Sequence, residues 1–134
     1  MDKTRTAIRV FLVAAGLVLV ASCGGPSSEF LCHAGTECKG SGGDDSSVIC
    51  ESSSKCEWKV GAHSSALCAS SADCKLRMGS ASVADCADSA RCEVKCDGLC
   101  LVACSAGARC EVRCLPSDLP GVRCPDGRVA CGPC

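Results

Sequence analysis

The feature that most constrains this chain is a spacing of eighteen residues between successive cysteines. Two sets of Cys recur at that interval, and they are Cys32, Cys50, Cys68, Cys86 and Cys104 in the first set and Cys38, Cys56, Cys74, Cys92 and Cys110 in the second. The chain therefore repeats C-x5-C-x11 five times over residues 32–121. A fixed period of this kind predicts a repeat architecture, in which each unit packs against its neighbours.

A five-residue alternation follows the second Cys of repeats two to five. It reads CEWKV from Cys56, CKLRM from Cys74, CEVKC from Cys92 and CEVRC from Cys110. Apolar residues or Cys alternate with charged residues, which predicts a half-buried β-strand with the charges outside. The first repeat departs from this pattern with CKGSG from Cys38, as expected of an atypical end.

Each repeat also has room for a second strand and two corners. A short apolar element precedes the first Cys of the later repeats, as in Val48-Ile49 and Ala66-Leu67. Glycines suited to a sharp corner follow the first three strands at Gly43, Gly61 and Gly79. The pattern predicts an all-β fold, a small disulfide-stapled parallel β-solenoid with about 18 residues per coil. A tandem series of disulfide-rich hairpins is the alternative.

The composition agrees with a scaffold held by disulfides. The chain has 17 Cys among 134 residues, whereas aromatic residues make up only 2%. Large aromatic side chains normally supply much of the buried area of a core. Cysteine at this density is typical of small domains folded in an oxidising compartment.

The N-terminal segment has the layout of an export signal. Basic residues precede an apolar stretch over residues 10–20, which is too short to span a bilayer. The sequence Val20-Ala21-Ser22-Cys23 that follows resembles the lipobox of bacterial lipoproteins. The resemblance implies that residues 1–22 are a signal peptide that is removed, and that Cys23 carries the lipid. Residues 23–31 are then the lipidated Cys and a flexible tether.

The lipobox resemblance also implies a location. Several acyl chains on Cys23 would anchor the protein stably to a membrane. Lipoproteins kept at the inner membrane often have Asp after the modified Cys, whereas this chain has Gly24. We therefore expect an extracytoplasmic, lipid-anchored protein of the cell envelope, with the outer membrane favoured over the inner one.

The C-x2-S-x2-C form of the repeat resembles the disulfide-rich β-helical antifreeze proteins of beetles, although the period here is longer. In those proteins the two Cys join across the interior of a coil. The resemblance implies the pairs Cys32–Cys38, Cys50–Cys56, Cys68–Cys74, Cys86–Cys92 and Cys104–Cys110. As a whole, the pattern resembles the Cys-rich repeat lipoproteins of myxobacterial-type genomes, a likeness that adds little about activity.

Six further Cys lie off the two main sets, and they are Cys96, Cys100, Cys114, Cys124, Cys131 and Cys134. Cys96 and Cys114 share a repeat position one coil apart, and adjacent strands are close enough for a disulfide. We therefore expect the pair Cys96–Cys114. The remaining four would hold residues 122–134 as a C-terminal cap over the end of the solenoid, with their pairing left open.

Few residues suggest chemistry. Cys131-Gly132-Pro133-Cys134 spells the thioredoxin motif, but no Trp precedes it, and we expect a structural cap here and not the start of a helix. The spacing C-x3-C-x3-C-x3-C from Cys92 to Cys104 would suit a soft metal only if the thiols were free. His33 and His63 occupy different repeat positions, so they do not stack. We expect no catalytic residues, no metal ligands and no cofactor.

These observations predict a non-enzymatic surface or periplasmic lipoprotein with a structural, adhesive or partner-binding role. Its expected partners are the membrane, through the lipid anchor, and a cell-surface polymer or protein. The sequence shows no basic patch and no aromatic stacking platform, so we expect no nucleic-acid partner. The alternative function is a thiol-based metal-binding or redox lipoprotein.

Overall fold

The computed structural model describes residues 28–134, and every regular element in that range is a β-strand. Within it, no helix is long and apolar enough to cross a membrane. The thirteen strands are β1 (Glu29–Cys32), β2 (Glu37–Ser41), β3 (Ser47–Cys50), β4 (Lys55–Val60), β5 (Ser65–Cys68), β6 (Asp73–Gly79), β7 (Ser82–Cys86), β8 (Arg91–Asp97), β9 (Cys100–Cys104), β10 (Arg109–Cys114), β11 (Leu119–Pro120), β12 (Val122–Arg123) and β13 (Val129–Cys131).

The strands form two sheets that together make a flattened solenoid. The first sheet has the order β1-β3-β5-β7-β9-β13-β12, and the second has the order β11-β10-β8-β6-β4-β2. From β1 to β10, neighbouring strands are parallel and aligned at the repeat interval, so Cys50 lies beside Cys68 and Trp58 lies beside Leu76. The predicted parallel β-solenoid is confirmed. Tandem hairpins are excluded, because these strands pair with the next coil and not with their neighbours in sequence.

A tight turn connects the two sheets inside each C-x5-C unit. In the second repeat the Ser54 backbone N–H donates to the carbonyl of Glu51 at 3.1 Å, and Ser53 has φ of 62°. A positive φ at this third position is what a type II turn requires. Gly35, Ser71 and Ser89 repeat the conformation. Glycine adopts this conformation without strain, which accounts for Gly35, whereas Gly107 in the last unit does not have a positive φ.

The opposite corner of each coil is packed closely against the next. A Cβ atom at Gly79 would overlap the backbone of Gly61 and Ala62, so glycine lets successive corners stack. One step further into this corner, Ser46, Ser64 and Ser82 form a buried row. The backbone N–H of Ser46 donates to Ser64 Oγ, and that of Ser64 donates to Ser82 Oγ, both at 3.2 Å.

The interior is thin and consists mainly of cysteine, alanine and valine, with Leu76 and Met78 as the large aliphatic residues. The two aromatic residues of the described chain pack together at the N-terminal end. Phe30 and Trp58 have ring centroids 4.4 Å apart, and both are only partly buried. The first repeat does form a strand, β2, although it is largely exposed, in keeping with an end position.

Eight disulfides account for all sixteen Cys in residues 28–134. The five pairs implied by the antifreeze resemblance, Cys32–Cys38 to Cys104–Cys110, each join across the inside of one coil. The expected pair Cys96–Cys114 is wrong, because Cys96 pairs with Cys100. Side chains at the same position of adjacent parallel strands point the same way, whereas Cys100 faces Cys96 across the interior.

The C-terminal segment covers the last coil. Strand β13 adds antiparallel to β9 in the first sheet, and β11 adds antiparallel to β10 in the second. The disulfides Cys114–Cys131 and Cys124–Cys134 hold this segment in place. The structure places two domain boundaries differently from the sequence prediction. The cap begins with β11, before residue 122, and the solenoid begins with β1, so residues 29–31 are not part of the tether.

Candidate functional site

The outer face of the second sheet carries three rows of side chains, all charged except Ser41, that run along the solenoid axis. The first row is Glu37, Lys55, Asp73, Arg91 and Arg109, the second is Lys39, Glu57, Lys75, Glu93 and Glu111, and the third is Ser41, Lys59, Arg77, Lys95 and Arg113. Strand alternation places all of them outside, because the residues between them face the interior.

The first two rows mostly alternate in sign from one coil to the next. In the second row, Lys39 Nζ lies 3.5 Å from Glu57 Oε2, and the next residues along the row are Lys75 and Glu93. Opposite charges that face each other across neighbouring strands stabilise a sheet, whereas like charges destabilise it. These rows therefore largely neutralise themselves.

The third row does not alternate. We call its four cations, Lys59, Arg77, Lys95 and Arg113, the basic row, since each is the direct register partner of the next and no acid interrupts them. With strands about 4.8 Å apart, the row spans roughly 14 Å. It borders a shallow trough over the middle of the sheet, which is also lined by Lys39, Glu57, Lys75 and Glu93.

One acid lies at the edge of the basic row. Asp97 accepts two hydrogen bonds from Arg77, from Nε at 2.8 Å and from Nη2 at 3.1 Å. The hydrogen bond from Arg77 lowers the pKa of Asp97, while Asp97 raises the pKa of the Arg77 guanidinium. The pair is therefore ionised at neutral pH, and Asp97 fixes the orientation of Arg77.

The remaining members of the basic row are less constrained. Arg113 Nε donates to Glu111 Oε1 at 3.1 Å, and its Nη1 donates to the carbonyl of Asp118 at 3.2 Å. Lys59 and Lys95 are exposed, and within residues 28–134 neither forms an ion pair shorter than 4.0 Å. These two ammonium groups are therefore available to an external anion.

The outer face of the first sheet is different in character. Its exposed side chains are mainly aliphatic, with Leu31, Leu67 and Val83 between 41% and 51% exposed. Leu67 and Val83 line a shallow apolar groove together with Ile49 and Leu101, and Asp85 and Arg128 supply its charges. The solenoid thus has one charged face and one apolar face.

The sulfur atoms form the third candidate site. The Sγ atoms of Cys96, Cys100 and Cys131 lie within 4.8 Å of one another, and two similar groups lie in the earlier coils. All of these sulfurs belong to disulfides, whereas the thiolate is the form of cysteine that binds metals. The CGPC sequence is not a disulfide of its own, because Cys131 pairs with Cys114 and Cys134 pairs with Cys124.

The other residues singled out in the sequence do not converge on a site. His33 Nδ1 lies 3.0 Å from Glu51 Oε1 at an exposed turn. His63 lies at the opposite corner of its coil with φ of 56°. Cys23, the predicted lipidation site, lies outside the described residues.

Comparisons with known proteins identify no relative of this chain. No protein-family model matches the chain, and neither the curated proteins nor the solved structures contain a significant match.

Proposed function

We propose that this chain is a non-enzymatic lipoprotein of the cell envelope. In this proposal it is exported, lipidated at Cys23 and anchored to a membrane, with the outer membrane favoured. Its solenoid then serves outside the cytoplasm as a rigid scaffold with a structural, adhesive or partner-binding role.

The observation that carries the proposal is the complete pairing of the sixteen Cys in residues 28–134. Disulfides form and persist in oxidising compartments, so this fold suits the space outside the cytoplasm. In the chain-entropy account, each of the five C-x5-C disulfides stabilises the fold by roughly 2.4 kcal/mol. Such a scaffold holds its two flat faces rigid without a large apolar core.

The test combines lipid labelling with an intact mass. The full chain, with its own leader, is expressed in a bacterium that processes lipoproteins and is grown with labelled palmitate. We expect wild type to carry the label and to fractionate with membranes. A Cys23→Ala variant should lose the label, while the matched variant Gly24→Ala should keep it.

The intact mass after thiol alkylation without reductant tests the scaffold itself. We expect no alkylating group on the wild-type protein and a mass that fits eight disulfides plus the lipid. In the labelling experiment, wild-type protein that carries no palmitate label and stays in the soluble fraction would contradict the proposed lipid anchor.

A thiol-based metal-binding or redox lipoprotein is the second candidate function. The specific observation in its favour is the clustering of Sγ atoms from adjacent coils, as at Cys96, Cys100 and Cys131. It requires reduced cysteines, since soft metals bind thiolates. Alkylation of several residues in the native protein, or release of a metal as they react, would make this the leading function.

A further inference from the structure

The basic row breaks the rule that its neighbours follow. The second row lies two residues upstream on the same strands, stands on the same outer face and alternates in sign over its first four members. Because like charges directly opposite one another destabilise a sheet, the fold alone favours alternation in the third row as well. Four consecutive cations point instead to a requirement imposed by a partner.

We propose that the basic row binds a linear anionic polysaccharide, which lies along the solenoid axis with its carboxylate groups against Lys59, Arg77, Lys95 and Arg113. This inference deepens the proposed partner-binding function and rests on it, because it names the class of partner and the side chains that contact it.

The shape of the row selects a single extended polymer chain. The row is one side chain wide and repeats at the strand spacing of about 4.8 Å. A plane of lipid headgroups would be matched by a broad basic patch, whereas here the adjacent row brings Glu57 and Glu93 to the same surface. The outward positions of β2, β4, β6, β8 and β10 carry no aromatic side chain, and the half-buried Trp58 packs against Phe30, so the face has no row of aromatic rings on which nucleic-acid bases could stack.

The charge of the whole chain makes the row specific. The formal net charge is −1, so a general attraction to polyanions is not expected. The charge is positive locally, where Lys59 and Lys95 lack ion-pair partners among the described residues and flank Arg77 in register. Among the described residues two acids accept hydrogen bonds from the row: Glu111 accepts one from Arg113, and Asp97 occupies the guanidinium edge of Arg77 that a polymer carboxylate would otherwise take.

The test measures binding of fluorescent polygalacturonate to the full lipidated chain in detergent, with neutral dextran as the blank. The variant Lys59→Glu/Lys95→Glu converts the row to alternating signs. The matched variant Arg109→Glu/Arg123→Glu makes the same change in charge at exposed positions outside the row. We expect the first variant to lower the affinity about tenfold or more. The affinity should also depend less on salt concentration, since only two cations of the row remain to displace counterions from the polymer. The matched variant should change affinity less than threefold.

A second variant keeps the test informative if the double variant fails to fold. Asp97→Asn removes the acid that competes for Arg77, so we expect tighter binding of polygalacturonate. Equal loss of affinity in the two double variants, or no effect of Asp97→Asn, would overturn the proposal. So would binding of a thymidine oligonucleotide or of phosphatidylglycerol vesicles as tightly as polygalacturonate. None of these outcomes bears on lipidation at Cys23 or on the thiol count, which test the proposed function separately.

Discussion

Cys131 lies directly beside Cys100 in the first sheet, at the position that a cysteine of the next coil would occupy. Cys114 lies beside Cys96 in the second sheet in the same way. The disulfide Cys114–Cys131 therefore repeats the crossing made by Cys96–Cys100, one level further along the solenoid. The cap substitutes for a sixth coil, and it enters with β13 antiparallel, which covers the edge of the first sheet.

The disulfide arrangement predicts a particular tryptic map of the oxidised protein. Cleavage after Lys95, Arg109, Arg113, Arg123 and Arg128 separates the last eight Cys into distinct peptides. The pairs in the structure leave peptides 96–109 and 110–113 linked to each other, and peptides 114–123, 124–128 and 129–134 linked in a separate trio. Mass spectrometry of the unreduced digest, prepared in urea with blocked thiols, distinguishes the two groups.

A link between peptides 96–109 and 114–123 would contradict this arrangement. Such a link is the one that the pair Cys96–Cys114, expected from repeat position, would produce, although peptide 96–109 also contains Cys100 and Cys104. The same digest after reduction is the control, because all five peptides should then appear singly.

The solenoid was predictable because a single period governs almost every contact in it. Once Cys50 and Cys68 are assigned to the same position, the register of Val48, Trp58 and the charged rows follows. The cap leaves this period, so the sequence offered no rule for pairing Cys114 with Cys131. Equal repeat position predicts the wrong partner for Cys96, because its bonding partner, Cys100, faces it from the other sheet.

Two features were present in the sequence but were visible only along the solenoid axis. Ser46, Ser64 and Ser82 occupy the same buried repeat position in successive coils. In the next coil this position is occupied by Cys100. The basic row also occupies one repeat position in successive coils. Reading each strand along the chain emphasises its mixture of signs, whereas register decides which charges become neighbours.

The packing of Trp58 predicts a position-specific effect of glycine replacement. A Cβ atom at Gly40 would lie within 2.6 Å of the Trp58 Cη2 atom, whereas a Cβ at Gly43 would meet nothing within 4 Å. We expect Gly40→Ala to destabilise the protein by about 1–3 kcal/mol, the usual range for overpacking. Urea unfolding followed by the fluorescence of Trp58, the single Trp of the chain, measures it. Gly43→Ala is the control, and an equal loss there would rule out the steric explanation.

The buried serine row predicts that a hydroxyl contributes to stability inside the corner. Ser64 Oγ accepts the backbone N–H of Ser46 at 3.2 Å, and Ser64 is 2% exposed. We expect Ser64→Ala to destabilise the fold by about 1–2 kcal/mol, because a buried donor loses its acceptor. The exposed neighbour Ser65→Ala should change the urea midpoint little. Equal shifts for both variants would contradict a role of this hydrogen bond.

The pair of Asp97 and Arg77 predicts a small dependence of stability on pH. The pKa of Asp97 is lowered in the folded protein by the hydrogen bond from Arg77. Its contribution is therefore fully present above the unfolded pKa of about 3.9 and is lost as pH falls through the lowered folded value. Asp97→Asn should be slightly less stable than wild type at neutral pH and equal to it in strong acid, with a modest difference because both side chains are exposed. A difference that grows on acidification would contradict this assignment.

The charged rows predict that a Lys→Glu substitution affects stability differently in the second row and in the basic row. Lys75 lies between Glu57 and Glu93, so Lys75→Glu creates a run of acids and should lower stability by about 0.4–2 kcal/mol. Lys95 lies between Arg77 and Arg113, so Lys95→Glu replaces repulsion with attraction and should leave stability unchanged or slightly raised. Urea midpoints at low salt measure both effects, and high salt should reduce the difference between the two variants because the charges are exposed. If both variants lost stability equally, the basic row would carry no repulsion, and its departure from alternating signs would no longer point to an anionic partner.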